Sequence, residues 1–359
     1  MNFPLIYRPK PIFGLDIGRT SVKVVQIKAD RRGLNVSGYG FGHFDKSAAK
    51  DGEIIKPDVV ASTIKNMFSK SMIGKISTDR VAACLPIAHI YTRILQLPKM
   101  AKKDLDEAVR LEAEQYVPLS SQEIYVEHRV LANHKQETGG KQQPMQTVLM
   151  VATPKKIVNS YLDLFSSLKL DVTSIEPNMF ANVRSVDFNC NYKEPRIIID
   201  FGAQSSDMAV LDQYPLLVST VSTGGDQITN AIAKTLGLSL QQAQQLKIRY
   251  GIGKSRWQAK LAAALEPILS DFANEVQKMM RYYHEHSQKN STITHIFLVG
   301  GGANMPGLSD FLSHLTGIEI SICNPWDKLS AKPLQPPVAT ETTIYATAIG
   351  LALKEVYEQ

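Results

Sequence analysis

Two apolar runs, Ile12-Phe13 and Val24-Val25-Gln26-Ile27, flank the stretch Gly14-Leu15-Asp16-Ile17-Gly18-Arg19-Thr20-Ser21-Val22-Lys23. An apolar run, a glycine-bearing polar turn and a second apolar run predict strand, tight turn, strand. Residues 34–39 alternate weakly and predict a third strand. Pro57 opens a helix to about residue 68, with Val60, Ile64, Met67 and Phe68 on one face. Residues 80–85 read as a short buried strand, so this first part is α/β in character.

The texture changes at Pro86. Residues 91–97 alternate as a strand, and residues 102–116 predict a charged amphipathic helix with Leu105, Val109 and Glu112-Ala113 marking its face. Residues 124–131 and 147–152 read as strands. The polar segment 133–146 between them, with Gly139-Gly140, reads as a loose hairpin loop. Pro154 opens a helix with Val158, Leu162, Phe165 and Leu168 on one side. Together these predict a small α+β insert.

Past Pro177 a helix carries Met179, Phe180 and Val183. Then Ile197-Ile198-Ile199-Asp200-Phe201-Gly202-Ala203-Gln204-Ser205-Ser206-Asp207-Met208-Ala209-Val210 repeats the opening pattern: apolar strand, aspartate, glycine, small polar residues, apolar strand. A strand over 215–221 follows, then Thr223-Gly224-Gly225-Asp226, with Asp226 as predicted N-cap of a helix that Gly237 stops. A helix over 239–250 ends at Gly251. A longer one over 256–287 contains Pro267, which predicts two helices or a kink. Residues 293–299 read as a buried strand leading into Gly300-Gly301-Gly302-Ala303. A helix, a strand over 318–322 and an apolar-faced terminal helix over 342–356 complete the chain.

Converging backbone N–H groups in a turn bind anions such as phosphate. An aspartate beside them holds Mg²⁺, usually through water. The turn is not a P-loop, since Gly-x4-Gly-Lys-Ser/Thr is absent and a strand follows. One such turn is equally a plain hairpin. Two copies predict a clamp on one polyphosphate between two lobes.

Composition narrows this picture only modestly. The 359 residues, 44% hydrophobic and 21% charged, suit two or more domains with sizeable cores. The net charge of +6 permits an anionic membrane face, an acidic partner or nucleic acid. The basic residues, however, are scattered, with nothing denser than pairs such as Arg31-Arg32, Lys102-Lys103 and Lys155-Lys156 and no interleaved aromatics, which argues against nucleic acid. No apolar run approaches the roughly 18–20 residues of a membrane helix, and the proline-broken start lacks the apolar core of a signal peptide. Cys84, Cys190 and Cys323 lie far apart, suggesting a reducing cytoplasm rather than a disulfide framework. His284 and His286, two apart on a helix, cannot face one metal, and Trp257 and Trp326 read as packing residues.

Asp16-Ile17-Gly18, Asp200-Phe201-Gly202-Ala203 and Val299-Gly300-Gly301-Gly302-Ala303, in that order, resemble the two phosphate loops and the adenosine loop of the actin-like ATPase superfamily. Within it the chain resembles the PilM family of type IV pilus assembly, related to the cell-division protein FtsA. The further matches are Leu97-Pro98-Lys99, Leu111-Glu112-Ala113-Glu114-Gln115-Tyr116-Val117-Pro118, Gly224-Gly225-Asp226-Gln227-Ile228-Thr229, Leu246-Lys247 with Tyr250-Gly251, and Tyr345-Ala346-Thr347-Ala348-Ile349-Gly350-Leu351-Ala352.

The resemblance implies an α/β actin-like fold, two lobes each built on a mixed β-sheet with helices, plus a small α+β insert. Its implied parts are a first lobe of 12–85 with 177–195 and 340–359, an insert of 86–176, a second lobe of 196–225 with 291–339, and a helical subdomain of 226–290. ATP or ADP with Mg²⁺ is implied as cofactor. Gly18, Arg19, Thr20 and Ser21 would offer amides and hydroxyls to the phosphates. Lys23 either adds charge there or is a solvated strand lysine. Asp16 and Asp200 would sit near Mg²⁺, and Gly202, Ala203, Gln204 and Ser205 would form the second turn. Gly224 and Gly225 belong to a matching motif; Gly300, Gly301, Gly302 and Ala303 would pack on base or ribose, with Gln244 and Lys247 reaching ribose and adenine. Arg19 stands where a small residue is expected, Gln244 where glutamate is usual, and Ser205 and Ser206 where threonine is more usual. Glu176 either orients an attacking water or is a helix-start glutamate.

The implied function is that of a cytoplasmic, ATP-binding scaffold, peripheral at the inner membrane. It would bind the N-terminal tail of PilN in a groove between insert and first lobe, with the strand edges near 81–85 and 91–97 as expected docking sites. Other pilus inner-membrane and motor components and self-association are further implied contacts. Two alternatives are an FtsA-like filament scaffold and a small-molecule kinase. The first uses a C-terminal amphipathic tail where this sequence has Glu355-Val356-Tyr357-Glu358-Gln359, and the second needs a catalytic carboxylate in a substrate loop that the sequence does not offer.

Overall fold

The repeated pattern folds into two matching hairpins, each at the centre of its own sheet. The computed structural model describes residues 11–30, 33–138, 141–190, 192–287 and 291–357. Residues 1–10, 31–32, 139–140, 191, 288–290 and 358–359, among them Gly139-Gly140 of the expected loop, lie outside the described residues. In chain order the first half contains β1 (Phe13–Ile17), β2 (Ser21–Asp30), β3 (Gly33–His43), β4 (Ala49–Lys50), β5 (Glu53–Ile54), α1 (Pro57–Asn66), β6 (Ile73–Gly74), β7 (Arg80–Leu85), β8 (Tyr91–Pro98), α2 (Lys102–Tyr116), β9 (Ile124–Thr138), β10 (Lys141–Pro154), α3 (Lys155–Ser167), β11 (Asp171–Pro177) and α4 (Asn178–Cys190). The second half contains β12 (Arg196–Phe201), β13 (Ser206–Asp212), β14 (Tyr214–Val221), α5 (Gly225–Leu236), α6 (Leu240–Tyr250), α7 (Gln258–His286), β15 (His295–Val299), α8 (Leu308–Thr316), β16 (Glu319–Ile322), α9 (Ala346–Ala352) and α10 (Lys354–Tyr357).

The first sheet runs β11-β7-β1-β2-β3-β6 and the second β16-β15-β12-β13-β14. Both share one scheme. The central strand is parallel to its neighbour on one side (β1 with β7, β12 with β15) and antiparallel to its hairpin mate on the other (β1 with β2, β12 with β13). The outer pairs agree as well, β11 with β7 and β16 with β15 being parallel, and β3 with β2 and β14 with β13 antiparallel. Buried Phe13, Leu15 and Ile17 pack under α1 and α3, and buried Ile197, Ile199 and Phe201 pack under α5, α7 and α8. A separate three-stranded sheet, β8-β10-β9, packs on α2 through Leu95, Leu105, Val109, Val148 and Met150.

Several expectations change. Residues 133–138 and 141–146 are not a loop: β9 and β10 stay paired from Asn133 with Gln146 out to Thr138 with Lys141. A ribbon that projects into water carries polar side chains without losing its backbone ladder, so polarity alone misleads there. β11 and α3 fall within the implied insert of 86–176, yet β11 pairs with β7 and α3 packs on Phe13 and Leu15. On α3 the buried residues are Ile157, Tyr161, Leu164 and Phe165, while Leu162 is exposed, because the helix packs on the first sheet rather than on the insert. β7 is not an edge; β11 and β1 occupy both of its sides. Of the two outcomes expected at Pro267, two separate helices do not occur: α7 is one helix, since its buried stripe from Leu261 through Tyr283 packs along the second sheet and outweighs the lost backbone bond. α5 begins after Gly224, not Asp226: the Gly225 amide donates to the Gly202 carbonyl (3.0 Å) and the Asp226 amide to the Ala203 carbonyl (2.7 Å). The terminal region is a 3₁₀ segment followed by α9 and α10 rather than one helix.

α9 is wedged between β1 and α4. A Cβ on Gly350 would lie 1.8 Å from the Ala181 carbonyl oxygen, and one on Gly14 would lie 2.0 Å from that of Ala348. Backbone thus meets backbone, with no flexible side chain to yield. Gly350→Ala is expected to cost about 1–3 kcal/mol or more, read as a lower midpoint in thermal or urea unfolding.

Candidate functional site

The paired hairpins bring their turns to one cleft. The Gly18 amide donates to the Ser21 carbonyl (2.9 Å) and the Gly202 amide to the Ser205 carbonyl (3.0 Å), so both turns close in the same way. The strands behind them place Asp16 opposite Lys23 and Asp200 opposite Asp207. The cleft, about 440 Å³, is lined by Asp16, Gly18, Arg19, Thr20, Ser21 and Lys23 on one wall and by Asp200, Gly202, Ala203, Gln204 and Ser205 on the other. Gly300 and Gly301 line it as well.

The remaining candidates lie elsewhere. Gly302 packs on the Phe201 ring, and Ala303 is buried in the core of the second sheet. Gly224 and Gly225 back the second turn. Lys247 Nζ donates to the Gly225 carbonyl (2.8 Å), and Gln244 Oε1 accepts from Thr229 (2.7 Å), so both reach the base of α5 and neither lines the cleft. Glu176 stands in a buried ion group: Arg184 donates to both its carboxylate oxygens (2.7 and 3.0 Å) and Lys354 to one (2.8 Å). Burial opposes its charge, but the Arg184 hydrogen bond and charge, with Lys354, hold its pKa below the ordinary range. It lines a different groove from the cleft.

Electrostatics single out Asp200. Burial and the nearby Asp207 and Asp16 carboxylates push it up to about 7, against a hydrogen bond from Asn182 Nδ2 (2.8 Å). Gly300 closes over it with φ of +84°, where a Cβ would lie 2.2 Å from Asp200 Oδ1. Burial also raises Asp207, which accepts from Asn178 (2.9 Å) and Thr220 (2.7 Å). On the first hairpin Lys23 donates to Asp16 (3.0 Å); burial works against the ammonium, and Asp16 outweighs it, holding Lys23 above its usual range. The Arg19 guanidinium donates to the Ala49 carbonyl, while its Nε is buried with no hydrogen-bond partner among the described residues.

This arrangement has definite chemistry. Crowded carboxylates are relieved by a divalent cation. An anion between the turns would meet the orphaned Arg19 Nε and the Lys23 ammonium. The residues therefore fit a polyphosphate with a hard cation, to which Asp16 and Asp200 could offer oxygens. Among the described residues, no group of three or more His, Cys, Asp or Glu is placed to hold a metal by itself, so substrate oxygens or waters would complete such a shell.

Sequence reasoning missed Asn178, Asn182 and Asp207. Asp207 was available by superposing the two motifs, since it occupies in the second hairpin the position of Lys23 in the first. The asparagines give no such signal; spaced four apart near the start of a helix, they resemble a solvated face.

A larger groove, about 890 Å³, lies between the three-stranded sheet and the first sheet. β9 and β11, each an edge strand, both border it, with Phe180, Val183 and Arg184 of α4 and Tyr214 of β14. No helix among the described residues is long and apolar enough to cross a membrane.

The family model described as type IV pilus assembly protein PilM matches residues 14–356. Among curated proteins, the cell division protein FtsA of Enterococcus hirae is 23% identical over 380 residues, covering 96% of this chain and 84% of FtsA. FtsA of Streptococcus pneumoniae serotype 2 (strain D39 / NCTC 7466) is 22% identical over 344 residues, covering 87% of this chain and 75% of FtsA. Among solved structures, a PilM-PilN type IV pilus biogenesis complex matches with a TM-score of 0.82 at 22% identity, over 97% of this chain and 99% of that one. MreB 5 of Spiroplasma citri bound to AMPPNP matches with a TM-score of 0.58 at 10% identity, over 98% of each chain. These likenesses show that the fold is actin-like.

The Asp200 shift has a testable sign. Between the unfolded carboxylate value of about 4 and the folded value of about 7, the folded chain holds a proton that the unfolded chain has released, so stability falls as pH rises. Below that window both states are protonated, and above it the cost is constant. In EDTA, the melting temperature of Asp200→Asn relative to the unaltered protein is expected to climb from pH 4 to about 7 and then level off. A pH-independent difference would show that the crowding is absent.

Proposed function

The chain belongs to the PilM family of type IV pilus assembly proteins, and on that premise we propose that it is an ATP-binding cytoplasmic scaffold held at the inner membrane by the tail of a PilN partner. ATP with Mg²⁺ would be held between the turns at Asp16 and Asp200, through Gly18 to Ser21 on one side and Gly202 to Ser205 on the other. The nucleotide supplies charge that both walls share, and a shared ligand favours the closed arrangement of the lobes. Duplicated turns facing one cleft, with Asp200 crowded by two other carboxylates, support this part.

The PilN tail would lie in the groove bordered by β9 and β11. The observation that carries this part is a groove with a free sheet edge on either side, in a chain similar over nearly its whole length to one solved as a PilM-PilN complex. Extended peptides gain affinity from backbone pairing with such edges and specificity from side-chain pockets. This moves the expected docking edge from 81–85 and 91–97 to β9 and β11. The Glu176–Arg184–Lys354 group, at the groove rather than at the phosphates, would offer charged partners to the peptide instead of orienting a water.

The test is calorimetric titration of a synthetic peptide matching the N-terminal tail of the same organism's PilN, with and without ATP–Mg²⁺. Binding is expected with nucleotide present. Val130→Asp, on the exposed part of β9 in the groove, is expected to weaken it at least about tenfold, the cost of roughly 1.4 kcal/mol. Absence of binding with ATP–Mg²⁺ present would reject the PilN part of the reading.

A further inference from the structure

Two of the three cysteines meet at the far end of α4, away from the cleft. Cys190 closes α4 and is half-buried; Cys323 follows β16 and is buried. Their sulfurs lie 2.7 Å apart although the two stand 133 positions apart in sequence. The contact is held by its surroundings: Asn189 Nδ2 donates to the Pro325 carbonyl (3.0 Å), the Lys328 amide donates to Asn189 Oδ1 (3.2 Å), and Lys328 Nζ donates to the Phe188 carbonyl (2.8 Å). The Cys323 amide is fixed by the Leu298 carbonyl (3.0 Å). Both thiols therefore sit on anchored backbone, in reach of each other without rearrangement.

The two thiols are unequal. A hydrogen bond from Cys323 pulls Cys190 below the usual thiol range, with the Lys328 ammonium acting in the same direction, and the same bond raises Cys323. Cys84 is different again: buried beside Asp16, with its thiol donating to Asp16 Oδ1 (3.6 Å), it is pushed well above the ordinary range and is inert.

We propose that Cys190 and Cys323 form a reversible redox site, in which a hydroperoxide converts the thiol pair into an intramolecular disulfide that braces α4 against the second sheet. Cys190, as thiolate, attacks one peroxide oxygen, the O–O bond breaks, and hydroxide leaves and takes up a proton as water. Cys323 then attacks the sulfenic sulfur of Cys190, displacing the second hydroxide, which takes the Cys323 proton. Two thiols lose two electrons, and hydrogen peroxide becomes two waters. A dithiol reductant reverses the step by exchange. The brace acts on the helix that carries Asn178 and Asn182 to the cleft.

The test treats the folded full chain with hydrogen peroxide, quenches it, denatures it and alkylates it with N-ethylmaleimide for intact-mass measurement. The untreated protein is expected to carry three maleimides, the treated protein one, on Cys84, and the protein reduced again with dithiothreitol three. Peptide mapping is expected to recover the Cys190–Cys323 cross-link. Cys323→Ser is expected to stop at a sulfenic acid on Cys190 that dimedone traps, and the wild-type masses decide the matter even where that variant folds poorly. Three maleimides after peroxide, a cross-link involving Cys84 or a second molecule, or a product that dithiothreitol does not reverse would each overturn the proposal.

Discussion

Asp200 is the constraint on which the two halves depend. It lies near the end of the central strand of the second sheet as Asp16 does in the first, half-buried at the cleft between buried Ile199 and Phe201. A carboxylate shielded from water is costly unless it is hydrogen-bonded or paired with a cation. Asp16 has Lys23 for this purpose, whereas Asp200 faces Asp207 in the equivalent position. The second hairpin is answered from elsewhere: Asn182 and Asn178 reach in from α4 to Asp200 and Asp207, and Thr347 of α9 holds Asn182 through its amide oxygen (2.9 Å). The cleft therefore rests on helices that pack by backbone contact, and this explains why Gly14 and Gly350 have no room for a side chain.

α4 also ties the cleft to the groove. Asn178 and Asn182 face the turns, while Arg184, one further half-turn along, holds Glu176 and the Gly350 carbonyl (2.8 Å) at the groove. A displacement of this one helix would be felt at both places. The link consists of direct hydrogen bonds from a single helix, so a ligand bound in the cleft would have a physical route to the groove.

Much of the fold was legible because the strongest signals are local. Apolar runs around the Asp16 and Asp200 turns marked both hairpins, and the helical spacing of Leu105, Val109 and Ala113 marked α2. Strand order was not legible, since β11 reaches β7 only after the whole insert has intervened. The parallel between the two sheets emerges only from that order. Polarity misled over 133–138 and 141–146, where side chains such as Asn133, Lys135 and Gln136 are exposed on a paired backbone. At the cleft, the turn residues were recognisable from their types, but Asn182, fully buried, looks in sequence like any polar helix residue. The resemblance implies that Lys247 and Gln244 reach ribose and adenine; in the structure their hydrogen bonds go to Gly225 and Thr229. Whether a side chain reaches a ligand or braces a neighbouring helix is decided by tertiary packing, which spacing does not encode.

The most direct measurement is a crystal structure of the protein with ATP and Mn²⁺ in place of Mg²⁺, with anomalous scattering used to locate the metal. An anomalous peak between Asp16 and Asp200, with phosphates lying against the turns at Gly18 and Gly202, is the predicted result. A nucleotide bound away from those turns, or a cleft that takes up neither metal nor phosphate at millimolar concentration, would contradict it.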